Sequence, residues 1–220
     1  MKLSYCITVK DEYEELDRLL HFLKENIKRT DELIIQIDKN GYTNEVLEVC
    51  HKYTNSNHSG KPILEEEAIS NSKFIFFPLN GDFATFKNNL SNHATGEYIF
   101  QVDADEIPTK FLIENIHQVL EVNNGVDIIL VPRENYVKGI TDYHIKRWGW
   151  EVDDKQRINF PDMQWRIYRN CKEITFINKV HERLSGFRNY STLPPQEEWS
   201  LIHRKGISKQ EKQNQFYTTL

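Results

Sequence analysis

The sequence is poor in several things that would have decided its class at once. Its three cysteines, Cys6, Cys50 and Cys171, are far apart and odd in number, so no disulfide framework organises the chain. Cys6 and Cys50 lie in apolar patterns and are expected as buried thiols, a usage that suits the cytoplasm. No signal-peptide pattern opens the sequence, and no apolar run approaches the length of a membrane span. The net charge is −5 with no continuous basic stripe, which argues against a nucleic-acid partner. Glycine is absent where the first apolar segment ends, at Val9-Lys10-Asp11-Glu12-Tyr13-Glu14, so no glycine-rich phosphate loop stands there. Internal repeats and flexible linkers are also missing, and 220 residues suffice for one substantial core.

What is present centres on Gly96-Glu97-Tyr98-Ile99-Phe100-Gln101-Val102-Asp103-Ala104-Asp105-Glu106-Ile107-Pro108. The apolar and aromatic run reads as a buried strand ending in two aspartates separated by one small residue. On extended backbone, residues i and i+2 point the same way, so both carboxylates are expected to converge on one point. A hard-oxygen pair of this kind suits Mg2+ or Mn2+, and the C-terminal ends of strands are where open α/β sheets bind ligands. An EF-hand is excluded: Asp103, Asp105 and Glu114 fall at loop positions 1, 3 and 12, but Pro108 takes the place of the required glycine.

The rest of the chain alternates. Leu3 to Val9 and Leu33 to Ile37 read as strands, each followed by a helical pattern: Leu16, Leu19, Leu20, Leu23 and Ile27 in the first, Val46, Leu47, Cys50 and Tyr53 in the second. Residues 54–73 form a polar excursion containing Glu65-Glu66-Glu67. Phe74 to Phe77 is a third strand, and a helix carrying Phe83, Phe86, Leu90 and Ala94 leads to the central stretch. Thr109 is placed to cap a helix with Leu112, Ile116, Val119 and Leu120 inward, and Asp127 to Val131 is another strand. This order predicts an α/β fold whose mostly parallel sheet has right-handed crossovers. Beyond Pro132 the sequence is rich in aromatics, including Tyr136, Tyr143, Trp148 and Trp150. Trp165 to Arg169 and Ile174 to Ile177 are expected to pair antiparallel around Asn170, and a polar helix follows Ser208. The division expected is 1–131 as an α/β half and 132–220 as a smaller, β-containing half of the same globular domain.

Gly81-Asp82-Phe83-Ala84 with Lys87-Asn88, Ala94-Thr95-Gly96-Glu97-Tyr98, and Val102-Asp103-Ala104-Asp105-Glu106 together resemble the segment leading into the metal motif of GT-A-fold glycosyltransferases of the family 2 type. Phe160-Pro161-Asp162-Met163-Gln164-Trp165-Arg166-Ile167-Tyr168-Arg169-Asn170 and Val180-His181-Glu182 resemble a second block, that of lipopolysaccharide-core-type members. The resemblance runs from about Leu3 to Glu182.

This resemblance implies a GT-A sheet and metal-dependent transfer of a sugar from a nucleoside-diphosphate donor to an acceptor hydroxyl, with inversion. The donor would be a UDP-sugar, the acceptor a glycan, lipid-linked or protein hydroxyl, and the cofactor Mn2+ or Mg2+. Thr8, Lys10, Asp38 and Lys87 would surround the nucleotide, with Asp103 and Ala104 beside it. Asp103, Asp105 and His181 would form the metal shell, with His203 the second choice for the histidine. The family's Glu-Asp pair is missing after Asp105, which leaves Asp162 as first choice for the base and Glu182 and Asp154 as alternatives. One of Arg166 and Arg169 is a candidate for the diphosphate, and Trp148 and Trp150 for an acceptor platform. Two other readings fit the same residues: a non-catalytic nucleotide- or carbohydrate-binding module, and a sugar-phosphate nucleotidylyltransferase, which the missing glycine loop disfavours.

Overall fold

The structure, a computed structural model, describes residues 1–55 and 68–217; the Glu65-Glu66-Glu67 run lies outside the described residues. The chain opens as β1 (Leu3–Val9), α1 (Tyr13–Asn26), β2 (Glu32–Asp38), α2 (Asn44–Tyr53), β3 (Ser72–Phe77), α3 (Phe83–Ser91) and β4 (Tyr98–Asp103). These four strands are parallel neighbours in the order β3-β2-β1-β4. The chain therefore grows from β1 toward β2 on one side and returns to β4 on the other. That reversal opens a crevice at the strand C-termini between β1 and β4, the usual ligand position in open α/β sheets.

The helices form as the periodicity requires. Leu16, Leu19, Leu20 and Leu23 of α1 are fully buried against Leu3, Tyr5, Ile7 and Phe100. The opposite sheet face packs Cys6, Ile34, Ile99 and Tyr168 against Ala84 and Leu90 of α3 and against Phe176 and Leu184. Next come β5 (Glu106–Pro108) and α4 (Lys110–Val122), where the Thr109 side chain accepts from Leu112 N at 3.2 Å, the cap its position predicts.

The second half departs from the expected simple hairpin. β6 (Ile128–Lys138) is 11 residues long and continues well past Val131. After α5 (Asp142–Trp148), β7 (Ile158–Arg169) runs antiparallel between β4 and β6. Trp165–Arg169 thus pairs within the main sheet. β8 (Thr175–Ile177) pairs instead with β9 (Arg183–Ser185), and β10 (Tyr190–Thr192) adds to β6. A 3-10 turn at Glu197–Trp199 precedes β11 (Leu201–Gly206), which inserts between β6 and β5, and α6 (Ile207–Tyr217) follows. The result is a nine-stranded mixed sheet between helical layers. Cys6 and Cys50 are buried free thiols. Among the described residues no helix is long and apolar enough to cross a membrane.

Gly96 marks the tightest approach at the entry to β4. Its N–H donates to Ser4 Oγ at 2.8 Å, beside the buried Glu32 carboxylate. A Cβ there would meet Ser4 Oγ at 2.6 Å, Ser4 N at 2.8 Å and Lys2 O at 2.9 Å, and backbone atoms cannot turn aside. Gly96→Ala should therefore cost about 1–3 kcal/mol, as overpacking of a tight site does. Urea unfolding measures it, and an unchanged midpoint would disprove the close approach.

Candidate active site

β1 and β4 end side by side, with Thr8 opposite Asp103 in the register. Thr8 Oγ1 donates to Asp103 Oδ1 at 2.9 Å, while Arg166 Nη2 donates to Oδ2 at 2.6 Å. Lys87, buried on α3, stands 3.4 Å from Oδ1 and donates to Glu182 Oε1 at 2.7 Å. The convergence of the two motif aspartates does not occur as extended geometry implies. β4 stops at Asp103, Ala104-Asp105 is a turn, and the two carboxylates meet different partners. Asp105 Oδ2 lies 3.3 Å from His203 Nε2 and 3.3 Å from Lys209 Nζ.

Behind these groups sits a buried carboxylate to which the sequence reading gave no separate role. Glu106 is fully buried and binds two arginines through Oε1: Arg133 Nη1 at 2.7 Å and Arg166 Nη2 at 2.5 Å. Arg133 in turn clamps Asp162 Oδ2 through Nε and Nη2 at 2.9 and 2.6 Å. Charges therefore alternate without a break from Glu182 through Lys87, Asp103, Arg166, Glu106 and Arg133 to Asp162. Burial works against ionisation of Asp103, but Arg166 and Lys87 outweigh it and hold the carboxyl far below the usual range. Burial likewise opposes the charge of Lys87, and Asp103 and Glu182 raise its pKa regardless. Lys205 goes the other way: burial pushes its ammonium down to about 8, and Gln213 Oε1 accepts from it at 2.9 Å.

These residues enclose a cavity of about 400 Å3. Its wall includes Lys87, Asp103, Asp105, Arg133, Asn135, Gln164, Arg166, His181, Glu182, His203 and Lys205, with Trp150, Trp165 and Phe176 as aromatic surfaces. Arg133, Asn135 and Val137 are alternate residues of β6, and His203 and Lys205 are alternate residues of β11, so each strand turns one pleat face to the cavity. That polar alternation was the available signal for Arg133, Asn135 and Lys205, which the sequence reading missed.

Other expected site residues take different places. Asp38 Oδ1 accepts from the backbone N–H groups of Asn40 and Leu79 at 3.2 and 3.0 Å, tying together the loops after β2 and β3. Lys10 is exposed and lies across Gly41. Ala104 is buried and its N–H donates to Thr8 O at 3.2 Å. His181 lines the cavity with its backbone at φ 54°, whereas the histidine touching Asp105 is His203. Asp162 is not on the wall. Arg133 and Asn135 donate to its Oδ2 and Gln164 to its Oδ1, so its carboxylate is held within this network. Asp154 is an exposed turn residue, also off the wall. Arg166 faces the site, while Arg169 binds Tyr98 Oη and Asn124 O away from it.

The donor set fits a divalent cation. Asp105 offers oxygen and His203 nitrogen from neighbouring positions, a set suited to Mn2+ or Mg2+ when phosphate and water complete it. Among the described residues no group of three or more such side chains could hold an ion by itself. Asp103 is already engaged by Thr8, Arg166 and Lys87.

Comparison with known proteins agrees with this layout. The model of glycosyl transferase family 2 matches residues 4–184. No curated protein matches the sequence. Among solved structures, S. aureus TarS 1-349 in complex with UDP-GlcNAc superposes with a TM-score of 0.64 at 17% identity, covering 93% of this chain and 59% of that one. S. aureus TarS gives 0.62 at 17% identity, covering 93% of this chain and 37% of that one. The chain thus spans well under two thirds of the length of these neighbours, and at such identity the likeness is one of fold. With the family match extending over most of its length, the chain belongs to glycosyl transferase family 2.

Proposed function

We propose that this protein transfers a sugar from a nucleoside-diphosphate donor to an acceptor hydroxyl, with inversion at the anomeric carbon. The observation that carries the reading is the meeting of Asp105 with His203, 98 residues apart in sequence, on the wall of the cavity at the β1–β4 crevice. Residues 1–131 would supply the nucleotide side of the cavity, while 132–220 would supply the acceptor side and, through Arg166 and His203, part of the diphosphate site. Uridine is the nucleotide expected, in keeping with the UDP and UDP-GlcNAc complexes of S. aureus TarS 1-349.

Asp105 and His203 would hold Mn2+ or Mg2+, which when bound supplies positive charge to the diphosphate leaving group. The protein adds fixed charge of its own. Arg166 and Lys87 are locked by their carboxylate partners, so their donors are aimed before the substrate arrives and need no reorganisation during reaction. Lys205, on the same wall, offers a further cation. Three carboxylates line the cavity: Asp103 and Glu182 of this network, and Asp105. Asp103 is committed to Arg166 and Lys87, and Asp105 to His203 and Lys209. Glu182, held by Lys87 through Oε1, is the group assigned to take the proton of the acceptor hydroxyl as its oxygen attacks. Trp148 and Trp150 pack with centroids 4.6 Å apart and planes tilted by 49°, and Trp150 reaches the wall, where it offers an acceptor sugar an apolar surface.

Two outcomes are expected. UDP with Mn2+ should raise the melting temperature by several degrees, since a ligand at a hundredfold excess over Kd adds about 2.7 kcal/mol. Asp105→Asn should abolish the metal-dependent part of that shift, measured against the variant's own unliganded curve, which falls because Asp105 pairs with Lys209 and His203; if no nucleoside diphosphate shifts the curve with metal, the reading fails.

Glu182→Gln should lower turnover by about a hundredfold or more with the donor-induced shift retained, the pattern of a lost general base. Asp162→Asn, in contrast, should show as loss of stability by chemical unfolding. Wild-type turnover in Glu182→Gln would remove it from the role.

A further inference from the structure

Asn135 stands between Asp162 and His203, and three adjacent strands place it there. Arg133 of β6 lies opposite Asp162 of β7, and Asn135 lies opposite His203 of β11. An ionised carboxylate can only accept hydrogen bonds. Asp162 Oδ2 takes two from Arg133 and a third from Asn135 Nδ2 at 2.8 Å. The amide of Asn135 is thereby oriented: its NH2 faces Asp162, and its Oδ1 faces His203 Nδ1 at 2.9 Å. A carbonyl oxygen also only accepts, so the proton must sit on Nδ1. In the neutral imidazole Nε2 then carries the lone pair, and Nε2 is the nitrogen 3.3 Å from Asp105 Oδ2. The orienting end of this series is rigid, because Arg133 is anchored to the fully buried Glu106 and Asp162 Oδ1 accepts from Gln164 at 2.6 Å.

We propose that Asn135 is a positioning residue, which, with Asp162 and Arg133 behind it, holds His203 as the Nδ1–H tautomer and so presents the Nε2 lone pair beside Asp105 as a nitrogen–oxygen pair for a divalent cation. The proposal rests on reading Asp105 and His203 as the metal-holding pair, and adds what makes the histidine a ligand. Without Asn135 the neutral ring gains by the opposite choice, putting its proton on Nε2 and donating it to Asp105. That tautomer blocks both donors at once. The alternative role for Asn135, merely joining β7 to β11, predicts no preference between tautomers.

The test uses the full chain with 15N-labelled histidine, free of metal, at a pH where the rings are neutral. Long-range 1H–15N spectra distinguish the two ring nitrogens, and His203→Gln assigns the signal. Wild type should show Nδ1–H at His203. Asn135→Leu should convert it to Nε2–H and weaken Mn2+ binding about tenfold or more, followed by water-proton relaxation with Mn2+ alone. The exchange Asn135→Asp with Asp162→Asn keeps an acceptor facing Nδ1 and should restore the Nδ1–H signal, which a loss of folding could not do. An Nε2–H tautomer in wild type that binds Mn2+ overturns the proposal and leaves the metal pair standing. Retention of both tautomer and affinity in Asn135→Leu also overturns it. Wild type with Nδ1–H that binds no Mn2+ overturns the metal assignment and the proposal with it.

Discussion

The alternation of charge from Glu182 to Asp162 is the constraint on which the site depends. Seven ionised side chains from α3, β4, β5, β6, β7 and the segment before β9 are drawn together, with Lys87, Glu106 and Arg166 buried and the other four partly so. Taking such groups out of water costs several kcal/mol each unless every one finds an opposite charge and good hydrogen bonds. Here each interior member has a counter-ion on both sides, so the cost is offset only while the whole series is intact. Removing one charge leaves its neighbours buried and uncompensated, which makes the arrangement rigid and specific more than it makes it stable.

Of the two motif aspartates, only Asp103 belongs to that series. Asp103 faces inward along its strand and is surrounded by Thr8, Lys87 and Arg166, so it organises cations. Asp105, one turn farther on, faces His203 and Lys209. The same residue type two positions away differs in role because the strand ends between them.

Much of the first half was legible because local pattern and tertiary environment agree there. Parallel strands buried on both faces read as apolar runs, and the leucines of α1 can only make one inward stripe. The Asp103-Ala104-Asp105 turn stood at a strand end for the same reason. The second half was less legible because its pairings are remote in sequence. Nothing near Trp165 indicates that β7 will insert between β4 and β6, or that β8 will turn to β9. Polar faces of β6 and β11 line a cavity and so lack the apolar alternation by which strands are recognised. The meeting of His203 with Asp105 was hidden for the same reason, being a contact across 98 residues, whereas His181 lies within the resembling block and lines the same cavity.

β5 is a three-residue strand whose one strand partner among the described residues is β11, which the ribosome delivers almost a hundred residues later. Until β11 emerges and slides between β6 and β5, Glu106 sits on an edge without a ladder, and Asp105 has neither His203 nor Lys209. Lys209 then joins Asp105 to Glu12, next to the first strand made. The cavity wall is thus completed by a strand almost a hundred residues beyond the edge it joins, and a chain that has already paired β1 to β4 still lacks His203 and Lys209 beside Asp105 until β11 is in place.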